Sequence, residues 1–203
     1  MFKNFFFGLF VINLFFATVV FSEGSPAGKI MKVSGIVKLN NKAVQVNDNI
    51  NEGDYIESDS DSSSFVDIKY ENGNFFRLKN GKMRIQKSKD KFKIELKSGS
   101  LFVNVEKLTE KQTFNIITPT AVTGVRGTRF QIDATELKTY ICVCEGTVWT
   151  KKKNFISKLF FKKTAVNADY DLWVNKGKKL KKPKYSPDMI KMTKAIFEDM
   201  GLK

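Results

Sequence analysis

Thr118-Pro-Thr-Ala-Val-Thr-Gly-Val-Arg-Gly-Thr-Arg-Phe130 decides how the rest of the chain is read. Phe114-Asn-Ile-Ile-Thr118 leads into Pro119, and Thr128-Arg-Phe-Gln-Ile-Asp133 alternates bulky with polar residues as a half-buried strand does. Between them Gly124 and Gly127 allow a positive φ or the close approach of another backbone, which predicts a tight turn around Val125 and Arg126. Arg126 is the polar residue to single out, because a guanidinium offers five donors in a fixed fork. The expectation is that it ties the turn to a carboxylate or to strand carbonyls, with ligand contact as the alternative. Gly124, Arg126, Gly127 and Thr128 are therefore the candidate binding or structural motif.

Upstream of this stretch, short apolar runs are punctuated by turn residues. Ile30 to Leu39 reads as a first strand with Asn40-Asn41 as its turn, and Gly53-Asp54 ends the return through Val44–Ile56. Ser58 to Ser64 is a polar, acid-bearing loop that lacks the glycine and distal glutamate of a calcium loop. Val66, Ile68 and Tyr70 alternate toward Asn72-Gly73, the pair a two-residue hairpin favours, and Phe76 and Leu78 continue the return. Asn80-Gly81 predicts a second turn before Met83 and Ile85, and Gly99 a third, between Phe92–Leu96 and Leu101–Val105. Downstream, Thr139–Cys144 and Thr147–Thr150 read as one more pair joined at Glu145-Gly146. Many short strands joined by glycine turns predict an all-β fold, a sandwich or flattened β-roll. Asp54, Asp67 and Glu145 each stand beside a turn, where a carboxylate is expected to accept backbone N–H bonds.

Taken in order, five of these segments resemble the signature of FecR-like domains. They are Gly53-Asp-Tyr-Ile56, Phe65 to Gly73, Lys97-Ser-Gly-Ser-Leu101, the Pro119 to Phe130 stretch with its Gly-Val-Arg-Gly-Thr core, and Cys144-Glu-Gly-Thr-Val148. The resemblance runs from Gly35 to Trp149, within a β-domain expected over residues 29–180. It implies an all-β interaction module working outside the cytoplasm, in the periplasm or secreted. FecR itself also has a cytoplasmic anti-sigma segment. Only Met1–Asn4 precede the apolar run here, so that activity is not expected to carry over.

Residues 1–22 have the parts of a secretory leader: Lys3, an apolar run from Phe5 to Phe21, and Val20 and Ser22 suited to a signal peptidase. Cleavage after Ser22 is expected, with a retained membrane anchor as the alternative. The formal net charge is +14 at pH 7 and falls by one without the leader. So basic a chain favours anionic surroundings. After Trp149, Lys151, Lys152, Lys153, Lys158, Lys162 and Lys163 flank an apolar centre, the basic part of an extension over 151–180. It reads as an arm with its apolar side on the sheet, or as one touching membrane or polyanion. Ser186-Pro187-Asp188 then starts an amphipathic helix, with residues 186–200 as its span and Met189, Met192, Ile196 and Met200 on one face beside Ile190 and Phe197. Docking on the chain's own β-domain is the expectation and docking on a partner the alternative.

Catalysis is not expected. The chain has no histidine, and neither a nucleophile–base pair nor a motif that spaces two carboxylates is evident. Cys142 and Cys144, the only cysteines, lie two apart on a strand, too far for an unstrained bridge. They read as small apolar residues filling one face rather than a redox or metal pair. No cofactor or metal is expected, and no nucleic-acid partner, since no helix-turn-helix, zinc-finger or RNP pattern occurs. The partner expected is a protein or an anionic envelope polymer, with peripheral membrane contact a further option. The function expected is an exported, noncatalytic binding protein of signalling or envelope maintenance. The alternatives are an adhesive envelope protein held by its basic arm, or a membrane-anchored transducer.

Overall fold

In the computed structural model, described for residues 26–60, 63–70, 73–88, 90–153 and 163–202, backbone pairing joins sixteen strands into one network, with one helix after it. The strands are β1 (Gly28–Ser34), β2 (Val37–Leu39), β3 (Lys42–Ala43), β4 (Asn49–Ile50), β5 (Tyr55–Ser58), β6 (Phe65–Tyr70), β7 (Phe75–Ser88) and β8 (Lys91–Asn104). They continue with β9 (Thr113–Ile117), β10 (Ala121–Val125), β11 (Arg129–Ala134), β12 (Lys138–Glu145), β13 (Thr147–Lys152), β14 (Thr164–Asn167), β15 (Tyr170–Asn175) and β16 (Lys184–Tyr185). The helix α1 spans Pro187–Asp199. The leader, Asn72, Lys158 and Lys162 lie outside the described residues.

The long hairpin β7–β8 organises the fold, because its two ends belong to different halves of the network. Toward Phe75 and Asn104 it continues outward through β6 and β1 on one side and β11, β12, β15 and β16 on the other. Toward Ser88 and Lys91 it continues through β5 and β2 on one side and β9, β10, β13 and β14 on the other. The β8–β9 pair is parallel and the other pairs are antiparallel. The halves fold over one core. Phe76 from the first and Phe114 from the second stack at 5.8 Å, and Tyr70 meets Phe92 edge-on at 4.9 Å. Alternation explains the partition: Leu101, Val103, Phe130, Ile132, Ile141 and Val143 point into this core, and their neighbours point away. The all-β reading holds, and Asn40 and Asn41 form the expected turn, with φ of 50° and 68°.

Two predicted turns are not turns. Strand β7 runs straight through Asn80-Gly81 and β8 straight through Gly99, with a register shift between Lys79 and Lys82. Here the hairpin bends from one half to the other, and the two backbones come together at the bend. A Cβ on Gly81 would lie 2.1 Å from the Ser98 carbonyl oxygen, and one on Gly99 2.4 Å from the Gly81 Cα. The glycines serve close approach instead of reversal. The pair expected at Glu145-Gly146 is also not a hairpin, because β12 pairs with β11 and β15 whereas β13 pairs with β10 and β14. The predicted first strand breaks at Gly35, whose φ is 66°.

Helix α1 packs on the outer face of the first half, so the cis docking expected of it is what occurs. Ile190, Phe197 and Met200 cover Phe102, Tyr140, Cys142 and Cys144. The buried stripe is Ile190, Thr193 and Phe197, and Met192 is exposed, one position off the expected face. A threonine sits mid-interface because its hydroxyl has partners there: it donates to Gln131 Oε1 at 2.8 Å or to the Met189 carbonyl at 2.8 Å. Asp54 accepts from the Asn51 backbone N–H at 2.6 Å and the Asn40 amide at 2.7 Å, as a turn carboxylate should.

Candidate functional site

The Gly124–Thr128 motif is a crossing point between the halves. Gly124 is not at the turn at all: it lies within β10, opposite Asn115 on β9 and Trp149 on β13. The chain leaves β10 at Val125 and enters β11 in the other half at Arg129, with Gly127 at φ 58° making the bend. The β12 to β13 link crosses the opposite way at Gly146, φ 78°, and the two crossings lie against each other. A Cβ on Gly146 would come within 2.6 Å of the Thr128 methyl and 2.7 Å of the Gly127 carbonyl oxygen. The Thr128 carbonyl accepts from Val105 N–H at 2.9 Å, and its hydroxyl is buried with no hydrogen-bond partner among the described residues. The glycines of three motifs, at 99, 127 and 146, thus all mark passages between the halves. Their shared property is backbone geometry, a left-handed φ where two segments of the chain meet closely.

Arg126 is exposed and makes no ion pair among the described residues; the role expected of it falls to Arg129. Arg129 Nη1 lies 3.3 Å from Glu145 Oε1, its Nε donates to Asn104 Oδ1 at 3.4 Å, and its guanidinium stands 5.7 Å from the Phe197 ring centroid. Glu145 therefore pairs with a cation instead of capping a turn. Asp67 departs from expectation too. It is buried, and Arg77, also buried, donates to it twice, Nε to Oδ1 at 2.6 Å and Nη2 to Oδ2 at 2.8 Å. Arg77 Nη1 reaches Asp199 Oδ2 at 2.5 Å, which ties the end of α1 to the sheet. The signal in the sequence was opposite charges equally spaced about Asn72, which a hairpin brings into register.

The helix thus seals a face holding both cysteines. They are free and buried, and burial raises both thiols, that of Cys144 to about 12. A thiol so held stays protonated and inert. Next to this sealed face, β15 and β16 carry exposed aromatics at the sheet edge: Trp173, Tyr170 and Tyr185. Tyr170 and Tyr185 meet edge-on at 6.0 Å, and Lys138 Nζ stands 4.9 Å from the Trp173 ring centroid. The edge thus presents three aromatic side chains to solvent. Of the predicted basic surface, Lys151, Lys153 and Lys163 are exposed, and Lys152 donates to the Lys178 carbonyl.

Residues 54–149 match the family model described as FecR protein. No curated protein matches the sequence. Among solved structures, one described as a "putative anti-sigma factor" from Parabacteroides distasonis superposes with a TM-score of 0.54 at 17% identity, over 65% of this chain and 59% of that one. A second structure so described gives 0.43 at 16% identity, over 74% of this chain and 61% of that one. The chain thus spans about three fifths of the length of these structures. At such identity the first likeness speaks to the fold.

Proposed function

We propose, taking the FecR domain formed by residues 54–149 as the premise, that this chain is a noncatalytic regulator in extracytoplasmic signalling that acts by binding a protein partner. The family match carries the reading. Three observations support it. The apolar run from Phe5 to Phe21 suits export to the periplasm or envelope. The one pair of strong nucleophiles, Cys142 and Cys144, is buried with raised thiols, which suits a binding role better than chemistry. The edge formed by β15 and β16 offers Trp173 and Tyr185 as anchors, residue types that dominate binding energy at interfaces.

The test is transcript profiling in the native host with the gene removed and then restored. A defined gene set should shift on removal and return with the wild-type chain, but not with a Trp173→Ala, Tyr185→Ala double variant that accumulates normally. An unchanged transcript profile would contradict the regulatory reading. Full restoration by the double variant would contradict the edge as the partner surface.

A further inference from the structure

The outer face of the second half is uncovered in the described residues, and its composition points to a ligand of its own. Pairing register sets Lys93, Asn115, Gly124, Trp149 and Ala165 in one row across five strands. Trp149 is 52% exposed and has a glycine and an alanine as its cross-strand neighbours, so neither of these carries more than a methyl group next to the indole. Gly124 also leaves the Asn115 amide open to the same surface, since the space a Cβ would take there has Asn115 Oδ1 3.4 Å away. Around this row, Arg84, Lys91, Lys97 and Lys151 are exposed on the same face by strand alternation. Two acids of this face are paired within it, Glu95 with Lys93 at 2.9 Å and Glu57 with Lys82 at 2.7 Å, and Glu136 stands at its rim beside Lys97 and Ile117. The face is therefore rich in cations and built around one indole.

We propose that this face binds an acidic polysaccharide, one sugar ring lying on Trp149 and its carboxylates meeting the surrounding lysines. A pyranose ring offers an apolar C–H face of about the size of the indole, and its hydroxyls suit the Asn115 amide and lysine ammoniums. Charge complementarity selects an acidic chain over a neutral one. Nucleic acid fits less well, because single strands are held by several aromatics stacking successive bases, and the row has one. A membrane surface fits less well because a peripheral contact inserts a broad apolar face, whereas Ile117 and Val122, in the neighbouring row opposite Lys151, are half-buried in the sheet. This site is separate from the β15–β16 edge and does not rest on the regulatory reading.

The experiment is calorimetric titration of the full chain with polygalacturonate, neutral dextran, oligo-dT and vesicles of phosphatidylglycerol and phosphatidylethanolamine, at low and high salt. The expected result is binding of polygalacturonate and not dextran, weakened by salt, about tenfold weaker in Trp149→Ala, and unchanged in Met192→Ala on the exposed side of α1. Circular dichroism should show both variants folded. Polygalacturonate binding that disappears with salt but ignores Trp149→Ala would be general polycation attraction and would overturn the proposal. Tighter, Trp149-dependent binding of oligo-dT or vesicles would overturn it as well.

Discussion

Arg77→Ala is expected to destabilise the fold by about 3–5 kcal/mol, read as a lower urea midpoint at unchanged slope. The side chain is 4% exposed and its partner Asp67 3%, so truncation strands a carboxylate away from water with no cation to meet it. Three further losses accompany this. The Phe65 ring loses a guanidinium 4.2 Å from its centroid, the packing of the long aliphatic stem goes, and α1 loses its tie through Asp199. Replacing both partners with apolar residues, Arg77→Met with Asp67→Leu, should recover most of the loss, because the cost lies in the unpaired charge. Asp199→Asn should cost far less, since that side chain is 55% exposed. The Arg77 guanidinium holds the Asp199 carboxyl below its usual range. That contribution is therefore fully present above the carboxylate range of an unfolded chain and is lost as the pH falls below that range and through the lowered folded value. A shift of under about 1 kcal/mol for Arg77→Ala would contradict the buried pair as a keystone.

Gly99→Ala should be nearly as damaging, at about 4 kcal/mol, and Gly53→Ala provides the control. Both glycines have a left-handed backbone, φ 90° and 87°. A Cβ at Gly53 meets nothing within 4 Å, so alanine there bears conformational strain alone, about 1–2 kcal/mol. At Gly99 the same strain adds to backbone overlap with Gly81 and Asn80, which no side-chain rotation relieves. Thermal unfolding of the two variants separates the terms. Equal melting temperatures would mean that the hairpin does not bend through a close approach at this point.

The contrast between Gly99 and Gly53 also shows where reading the sequence stopped. Alternation locates most strands, and the ordered motifs point to the FecR domain matched over residues 54–149, because both are local properties. Asn80-Gly81 was misread because reversal and bending ask the same of a residue, a permissive φ or no Cβ. What separates them is the strand lying across, here β8 at Ser98 and Gly99, which is a property of the folded chain. Gly124 shows the same limit: the stretch that reads as one turn holds a strand and a crossing, since β10 needs β13 from downstream to be recognised. The helix was placed within a residue, but its face was rotated by one position. The methionines suggested the stripe 189, 192, 196 and 200, and the sheet beneath chose Thr193 because Gln131 offers it an acceptor. Arg126 is expected to tie the turn because it stands between glycines, yet it is exposed, and the buried cation among the described residues is Arg77, whose partner follows from hairpin register.

Helix α1 seals one face of the sheet and leaves the β15–β16 edge and the face around Trp149 open among the described residues. Reactivity of the two cysteines toward a chromogenic disulfide reagent at pH 8 tests this most directly. Burial raises the Cys144 thiol to about 12 from its ordinary value near 9.0. Both thiols should stay silent in the native chain and both react in denaturant. The same shift predicts that stability falls as pH rises from about 9 toward 12, because the unfolded chain loses the proton first. Rapid reaction of either cysteine in the native chain would contradict the sealed face, and the surface open to a partner would then be the one beneath the helix.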